Sequence, residues 1–226
     1  MTLNLSDGSK VYVRGRIDRV DRFENDESVY LRVVDYKSGS QSLDPARIWM
    51  GMQLQLLLYL EAMLNAEPDA IPAGAFYQWM GDPLIDQSKK GLIESEIAKK
   101  LCLKGVMLSD VQVIEWMDHM KPPVSIEDVL KKDGTVRKGK LACSLEELRQ
   151  LIDLAHNTAV RLTQDIRSGM IDAAPVCDKS NVTHCKFCKF AGVCRRDSLD
   201  HPLDRPLPDV KLEDLLQNSQ NLTQKA

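Results

Sequence analysis

Two short segments carry residue types that can do chemistry together: Gly15-Arg16-Ile17-Asp18 and Asp35-Tyr36-Lys37. Side chains alternate across an extended strand, so Asp35 and Lys37, two residues apart, point the same way. Two carboxylates and an ammonium at one spot suit metal-assisted hydrolysis of a phosphodiester. The carboxylates hold a hard divalent cation, which acidifies a water and offsets phosphate charge. The ammonium steadies the attacking group or the transition state. A carboxylate at the inner end of apolar strands is costly without a cation partner, and this favours chemistry over a merely solvated pair. Asp21, by contrast, reads as a salt-bridge or turn residue.

Gln55 and Tyr59 lie four apart, which stacks them on one helix face. Directly after the Asp-x-Lys strand they are candidates for orienting a substrate phosphate or the metal site. A second cluster, Cys185-x-x-Cys188-x5-Cys194 with Cys177 eight residues earlier, has the spacing of metal ligands. Zinc and iron–sulfur both fit that spacing, and His184 keeps a Cys3His zinc site open. Cys102 and Cys143 stand apart as ordinary core or surface thiols. Gly134 to Lys140 imitates a phosphate-binding loop, but Leu141 stands where a Ser or Thr is required and no apolar strand precedes it. A hairpin turn is expected there, and no ATP binding.

The elements that must position these residues can be read from periodicity and caps. Residues 10–21 alternate as one half-buried strand and Val29–Lys37 as the next, joined by the polar turn 24–28 into a hairpin that can bring Asp18 near Asp35. One helix starts at Asp44 as N-cap and Pro45 and is expected to run unbroken through Ile48, Met52, Leu56, Leu60 and Met63. A strand follows over Ala73–Met80. Between 84 and 142 the chain reads as a charged helical stretch, a strand over Val111–Trp116, a Pro-Pro turn and a lysine-rich hairpin around Asp133-Gly134. A long amphipathic helix begins at Ser144, with Glu147 completing a capping box and Gly169 as its stop. The polar, Pro-interrupted stretch from 198 to 226 reads as a tail with one short helix at 209–217.

At 226 residues the chain can bury one sizeable core. It holds no bilayer-length apolar run and no signal-peptide pattern, which points to the cytoplasm. Nothing suggests export, so disulfides are disfavoured and metal binding is the better use of the cysteines between 177 and 194. A net charge of −3 means that any affinity for nucleic acid must come from local patches. Arg14, Arg16, Arg19, Arg22 and Arg47 flank the acidic segments, and Lys186, Lys189, Arg195 and Arg196 flank the cysteines. Both sets are candidates for phosphate-backbone contact.

Taken in order, Gly-Arg-Ile-Asp18, Asp35-Tyr-Lys37, Gln55-x3-Tyr59 and Cys185-x2-Cys188-x5-Cys194 resemble the PD-(D/E)XK nuclease domain of the RecB superfamily over residues 1–197. The resemblance implies an α/β, restriction-endonuclease-like core: a small mixed sheet flanked by helices, with a C-terminal cysteine-rich metal loop. It implies Asp18, Asp35 and the carbonyl of Tyr36 as Mg²⁺ ligands and Lys37 as the group that positions the attacking water. Gln55 and Tyr59 would belong to the family's additional motif. Cys185, Cys188 and Cys194 would be three ligands of a [4Fe–4S] cluster, whose fourth cysteine lies upstream of the first strand in relatives. None of the fourteen residues before Gly15 is Cys, Glu or His, so the chain reads as the C-terminal part of a larger protein, cut inside or just after the nuclease's first element. The implied partners are DNA ends and the A subunit of a heterodimeric helicase–nuclease. The rival readings are a standalone CRISPR-adaptation nuclease with the same motifs and an inactive, zinc-bound DNA-end-binding module.

Overall fold

In the computed structural model, described for residues 1–84, 93–121, 123–126, 129–137, 141–178, 184–194 and 204–223 (backbone alone for 184 and 218–223), the acidic segments enter one mixed sheet. A small hairpin comes first, β1 (Thr2–Asn4) with β2 (Lys10–Tyr12). The main sheet then takes β3 (Arg19–Glu24) and β4 (Val29–Lys37), and after two helices, α1 (Pro45–Trp49) and α2 (Gln55–Ala66), it gains β5 (Ala70–Trp79). Helix α3 (Ile93–Leu101), β6 (Lys104–Leu108), α4 (Val111–Asp118) and β7 (Ala142–Cys143) follow. The chain closes with α5 (Leu145–Arg167), β8 (Val176–Cys177), a 3-10 turn at His184–Phe187, α6 (Ala191–Cys194), β9 (Arg205–Pro206) and α7 (Leu212–Thr223). The five-stranded sheet runs in the order β3-β4-β5-β6-β7. Its β4–β5 and β6–β7 pairs are parallel and its other pairs antiparallel.

One face of this sheet builds the larger core. Val33, Ala75, Tyr77 and Val106 pack there with Leu56, Leu57 and Leu60 of α2 and Leu148, Leu151 and Ala155 of α5. Val34, Phe76 and Met107 point the other way, to Ile114 of α4 and to Ile126 and Val129. α5 behaves as its pattern requires: the Ser144 hydroxyl accepts from Glu147 N–H, and the Glu147 carboxylate accepts from Ser144 N–H. The expected lysine-rich hairpin is present as a turn closed by a Leu130–Val136 bridge; Lys138–Lys140 of the phosphate-loop imitation lie outside the described residues. The polar stretch after residue 198 ends in α7, where Leu215 and Leu216 are buried in the main core. These two leucines anchor the helix against α5. Among the described residues no helix is long and apolar enough to cross a membrane.

Three expectations are corrected. The strand expected over 10–21 is interrupted: residues 13–18 leave the ladder, and the main sheet begins only at Arg19. Gly15 explains the interruption, because a Cβ there would meet the Tyr59 ring at 2.9 Å; this segment crosses α2 instead of pairing with a strand. The single helix expected from Pro45 to Met63 is two helices. Gly51, at φ +75°, turns the chain between them, and the buried Gln53 amide pins the turn by accepting from Asp44 N–H (2.8 Å) and donating to Ser42 O (3.1 Å). Val111–Trp116 is helical. Its Val-x-Val alternation mimics a strand, but the Asp110 carboxylate caps the N–H groups of Gln112 and Val113, and Val113, Ile114 and Met117 are buried at helical spacing.

A bulge in β5 sets the surroundings of the second acidic segment. Val29 lies opposite Ala70, but after the register shift at Leu31/Arg32 the pairing becomes Arg32 with Gly74, and Asp35 comes to lie opposite Tyr77. Without the extra residue Asp35 would face Phe76. Since a one-residue slip exchanges the faces of a strand, the bulge decides which aromatic side chain stands beside the acid.

Candidate active site

Asp35 and Lys37 occupy the C-terminal end of β4, on the face that packs against α2. Asp35 is buried at 4% exposure, and the Lys37 ammonium lies 2.5 Å from its Oδ2. Among the described residues that oxygen has no other hydrogen-bond partner. Asp18 sits one residue outside the β3–β4 ladder, at a bend rather than on a strand. Its Oδ2 accepts from Tyr36 N–H at 3.0 Å, which ties the two acidic segments together at the Asp35–Tyr36 peptide.

α2 supplies the next contacts. The Lys37 ammonium donates to Gln55 Oε1 at 3.3 Å, and the Gln55 amide donates to the Tyr59 hydroxyl at 3.0 Å. The Asp35–Lys37–Gln55–Tyr59 line is therefore continuous, and Tyr59 in turn lies against Gly15, three residues before Asp18. All five residues singled out in the sequence are in one place.

The sequence did not point to Tyr77 or Trp79. Tyr77 is 3% exposed, and its ring centroid is 5.5 Å from Lys37 Nζ. Burial, with the Asp35 charge added, pushes its phenol up to about 12, so the ring stays neutral at physiological pH. Trp79 lies opposite Lys37 in the ladder, and its indole N–H donates to Ser38 O at 3.0 Å, holding the strand end just past the lysine. An alternating apolar strand gives no hint of either role, because the parallel pairing and the bulge that bring them in are long-range facts.

A hard cation fits this donor set. Mg²⁺ is bound through one or two carboxylates and keeps several waters; Asp18 and the buried, under-bonded Asp35 oxygen are the carboxylates that would hold it. No group of three or more His, Cys, Asp or Glu is gathered as a metal cage among the described residues. The cysteines are no exception. Cys188 and Cys194 are exposed and Cys185 is half-buried, and the three are not gathered into one ligand set. Cys177 is buried and donates to Asp204 Oδ2 at 3.2 Å, a hydrogen bond and not a ligand position. The expected cluster thus finds no support in the arrangement of the described thiols, and the His184 side chain lies outside the described residues. Cys102 and Cys143 are core thiols, and burial pushes Cys143 up to about 12, which keeps it unreactive.

The flanking arginines divide. Arg19 is bound to Asp21, Arg22 to Glu24 and Glu67, and Arg47 to Asp44. Asp21 is the salt-bridge residue its position suggested, since it also pairs with Arg32. Arg14 and Arg16 are exposed, on the segment that leads to Asp18, and are the better placed for a phosphate. Arg195 and Arg196 lie outside the described residues.

Comparison with known proteins places the chain among nucleases. A family model described as the PD-(D/E)XK nuclease superfamily matches residues 1–195. The chain is similar to the B subunit of the ATP-dependent helicase/deoxyribonuclease of Clostridium tetani, 38% identical over 229 residues that cover 96% of this chain and 20% of that protein. It is 37% identical to the protein of the same name from Bacillus thuringiensis, over 93% of this chain and 19% of that one. With the Clostridium perfringens protein of that name it shares 34% identity over 94% of this chain. The chain spans about a fifth of the length of the curated relatives it matches.

Proposed function

The chain belongs to the PD-(D/E)XK nuclease superfamily, and on that premise we propose that it is the metal-dependent deoxyribonuclease domain of a helicase–nuclease. It would degrade single-stranded DNA ends while double-strand breaks are prepared for recombinational repair in the cytoplasm. A helicase–nuclease A subunit would be its partner, supplying ATP-driven unwinding. The observation that carries this reading is the unbroken line of contacts from Asp35 through Lys37 and Gln55 to Tyr59, fastened to Asp18 through the Tyr36 amide.

In this reading Asp18, Asp35 and the carbonyl of Tyr36 would hold Mg²⁺, which when bound would lower the pKa of a water and offset charge on the scissile phosphate. Lys37 stands beside that water, orients it by donating a hydrogen bond, and faces the charge that builds on the phosphate oxygens. Gln55 fixes the lysine and Tyr59 fixes Gln55. Arg14 and Arg16 contact the backbone of the strand being cut. The test is release of labelled nucleotide from single-stranded DNA by the purified full-length protein that carries this domain. Cutting is expected with Mg²⁺, and neither EDTA-treated wild type nor Asp18→Ala should show it; release that continues in either would refute the metal site.

For the cysteine segment the proposed ligands of a [4Fe–4S] cluster are Cys185, Cys188 and Cys194, and no step of the reaction runs through it. Anaerobically purified full-length protein, with the fourth cysteine upstream of the first strand, should then contain iron and acid-labile sulfide in equal amounts, lost in Cys188→Ser. Stoichiometric zinc without sulfide overturns the assignment.

A further inference from the structure

A lysine side chain has four rotatable bonds and loses up to about 2 kcal/mol of rotamer freedom when it is fixed. Lys37 must nevertheless present its ammonium at one spot. Among the described residues three groups face that ammonium: Asp35 Oδ2 at 2.5 Å, Gln55 Oε1 at 3.3 Å and the Tyr77 ring centroid at 5.5 Å. Asp35 is the strongest of the three, and it is also the carboxylate that the nuclease reading assigns to the metal. A carboxylate shared with a divalent cation holds an ammonium less well, because the two cations repel and compete for the same oxygen. The remaining two holders carry no charge. Gln55 restrains the ammonium from the helix side, and the face of Tyr77 restrains it from the sheet.

We propose that Tyr77 is a positioning residue for Lys37, its ring face keeping the ammonium beside the attacking water while Asp35 is engaged with the metal. The inference rests on the nuclease reading and adds a residue to it. An apolar side chain would fill the same core position between Ala75 and α2, but only an aromatic ring offers a negatively polarised face to a cation. The β5 bulge brings that ring opposite Asp35, and Tyr77 itself never touches substrate, so its effect passes entirely through the lysine.

Two variants and two readouts test this. Tyr77→Phe keeps the ring face, and Tyr77→Leu keeps apolar bulk without it. With Mg²⁺ and single-stranded DNA, kcat should be unchanged in Tyr77→Phe and lower by about tenfold in Tyr77→Leu, with KM unchanged in both. Independently, in protein labelled with ¹³C at the lysine ε-carbons, the Lys37 methylene protons should be displaced upfield by the ring current. Lys37→Arg assigns the signal. The displacement should persist in Tyr77→Phe and vanish in Tyr77→Leu. A Lys37 signal at its random-coil position in the wild type overturns the proposal, even if Tyr77→Leu does not fold. Equal loss of kcat in the two variants, or full kcat in Tyr77→Leu, overturns it as well. The spectrum needs neither metal nor DNA, so a wild-type chain that failed to cut would refute the nuclease reading and leave the position of Lys37 to be decided by the spectrum.

Discussion

Asp35→Ala is expected to lower DNA cutting by at least about 10³-fold, because the charge stabilisation a bound cation gives a transition state amounts to several kcal/mol and this variant removes the most buried of the proposed ligands. Little of that loss should come from unfolding. Asp35 lies at a strand end, and the ammonium it leaves behind is on a side chain that is 28% exposed and still bonded to Gln55. Circular dichroism should therefore match the wild type, while calorimetry shows Mg²⁺ binding lost. Lys37→Ala separates the two functions of the pair. It should cost about 10²- to 10³-fold in kcat, the size of a transition-state donor, yet bind Mg²⁺ more tightly than the wild type, because the ammonium 2.5 Å from Asp35 Oδ2 no longer competes for that oxygen. Cutting that survives either substitution, or weaker Mg²⁺ binding in Lys37→Ala, would contradict the assigned site.

Arg32→Ala is expected to cost about 3–5 kcal/mol of folding stability, the penalty for stripping one partner from a buried ion pair. Arg32 is 4% exposed. Its guanidinium donates to Asp21 at 2.9 Å, to Asp118 at 3.0 Å and to Met117 O at 3.2 Å, and lies over the Phe76 ring. Asp118 has a side chain only 1% exposed, so the variant leaves a carboxylate in the core without its cation. For a chain of this size the loss corresponds to a fall in Tm of roughly 10 °C.

The pH dependence of that loss follows from Asp118. Burial alone would raise its carboxyl, but hydrogen bonds from the Ser125 side chain and N–H, together with Arg32, outweigh burial and hold it below the usual carboxylate range. A depressed folded-state pKa contributes stability that is present above the unfolded value, about 4, and is lost as pH falls through the folded one. The Tm gap between wild type and Arg32→Ala should thus be widest near neutrality and narrow below about pH 4. A gap that stays constant down to pH 3 would show that the charge pair is not what Arg32 contributes.

Much of the site is legible without any knowledge of the fold. Spacing alone pairs Asp35 with Lys37 and Gln55 with Tyr59, because strand alternation and the helix period are local rules that survive in the folded chain; Asp18 joins them from a bend outside the ladder, through the Tyr36 N–H. The Asp44 and Ser144 caps are likewise readable, since a cap depends on three or four adjacent residues. Where local reading fails, the reason is equally physical. Val-Gln-Val-Ile-Glu-Trp satisfies a strand period and a helix period at once; the Asp110 cap and the packing of Ile114 with Val34 and Phe76 select the helix. The flanking arginines look alike in sequence, but Arg19, Arg22 and Arg47 are taken up by neighbouring carboxylates, whereas Arg14 and Arg16 stand exposed on the segment leading to Asp18.

The sequence by itself determined that Lys37 shares a face with Asp35, because side chains two residues apart on a strand point the same way. The tertiary structure decided what surrounds that lysine. Parallel pairing of β4 with β5, shifted by one residue at the bulge, placed Tyr77 rather than Phe76 beside Asp35; the turn at Gly51 aimed Gln55 at the ammonium. Both depend on contacts between segments tens of residues apart, whose register no local pattern encodes.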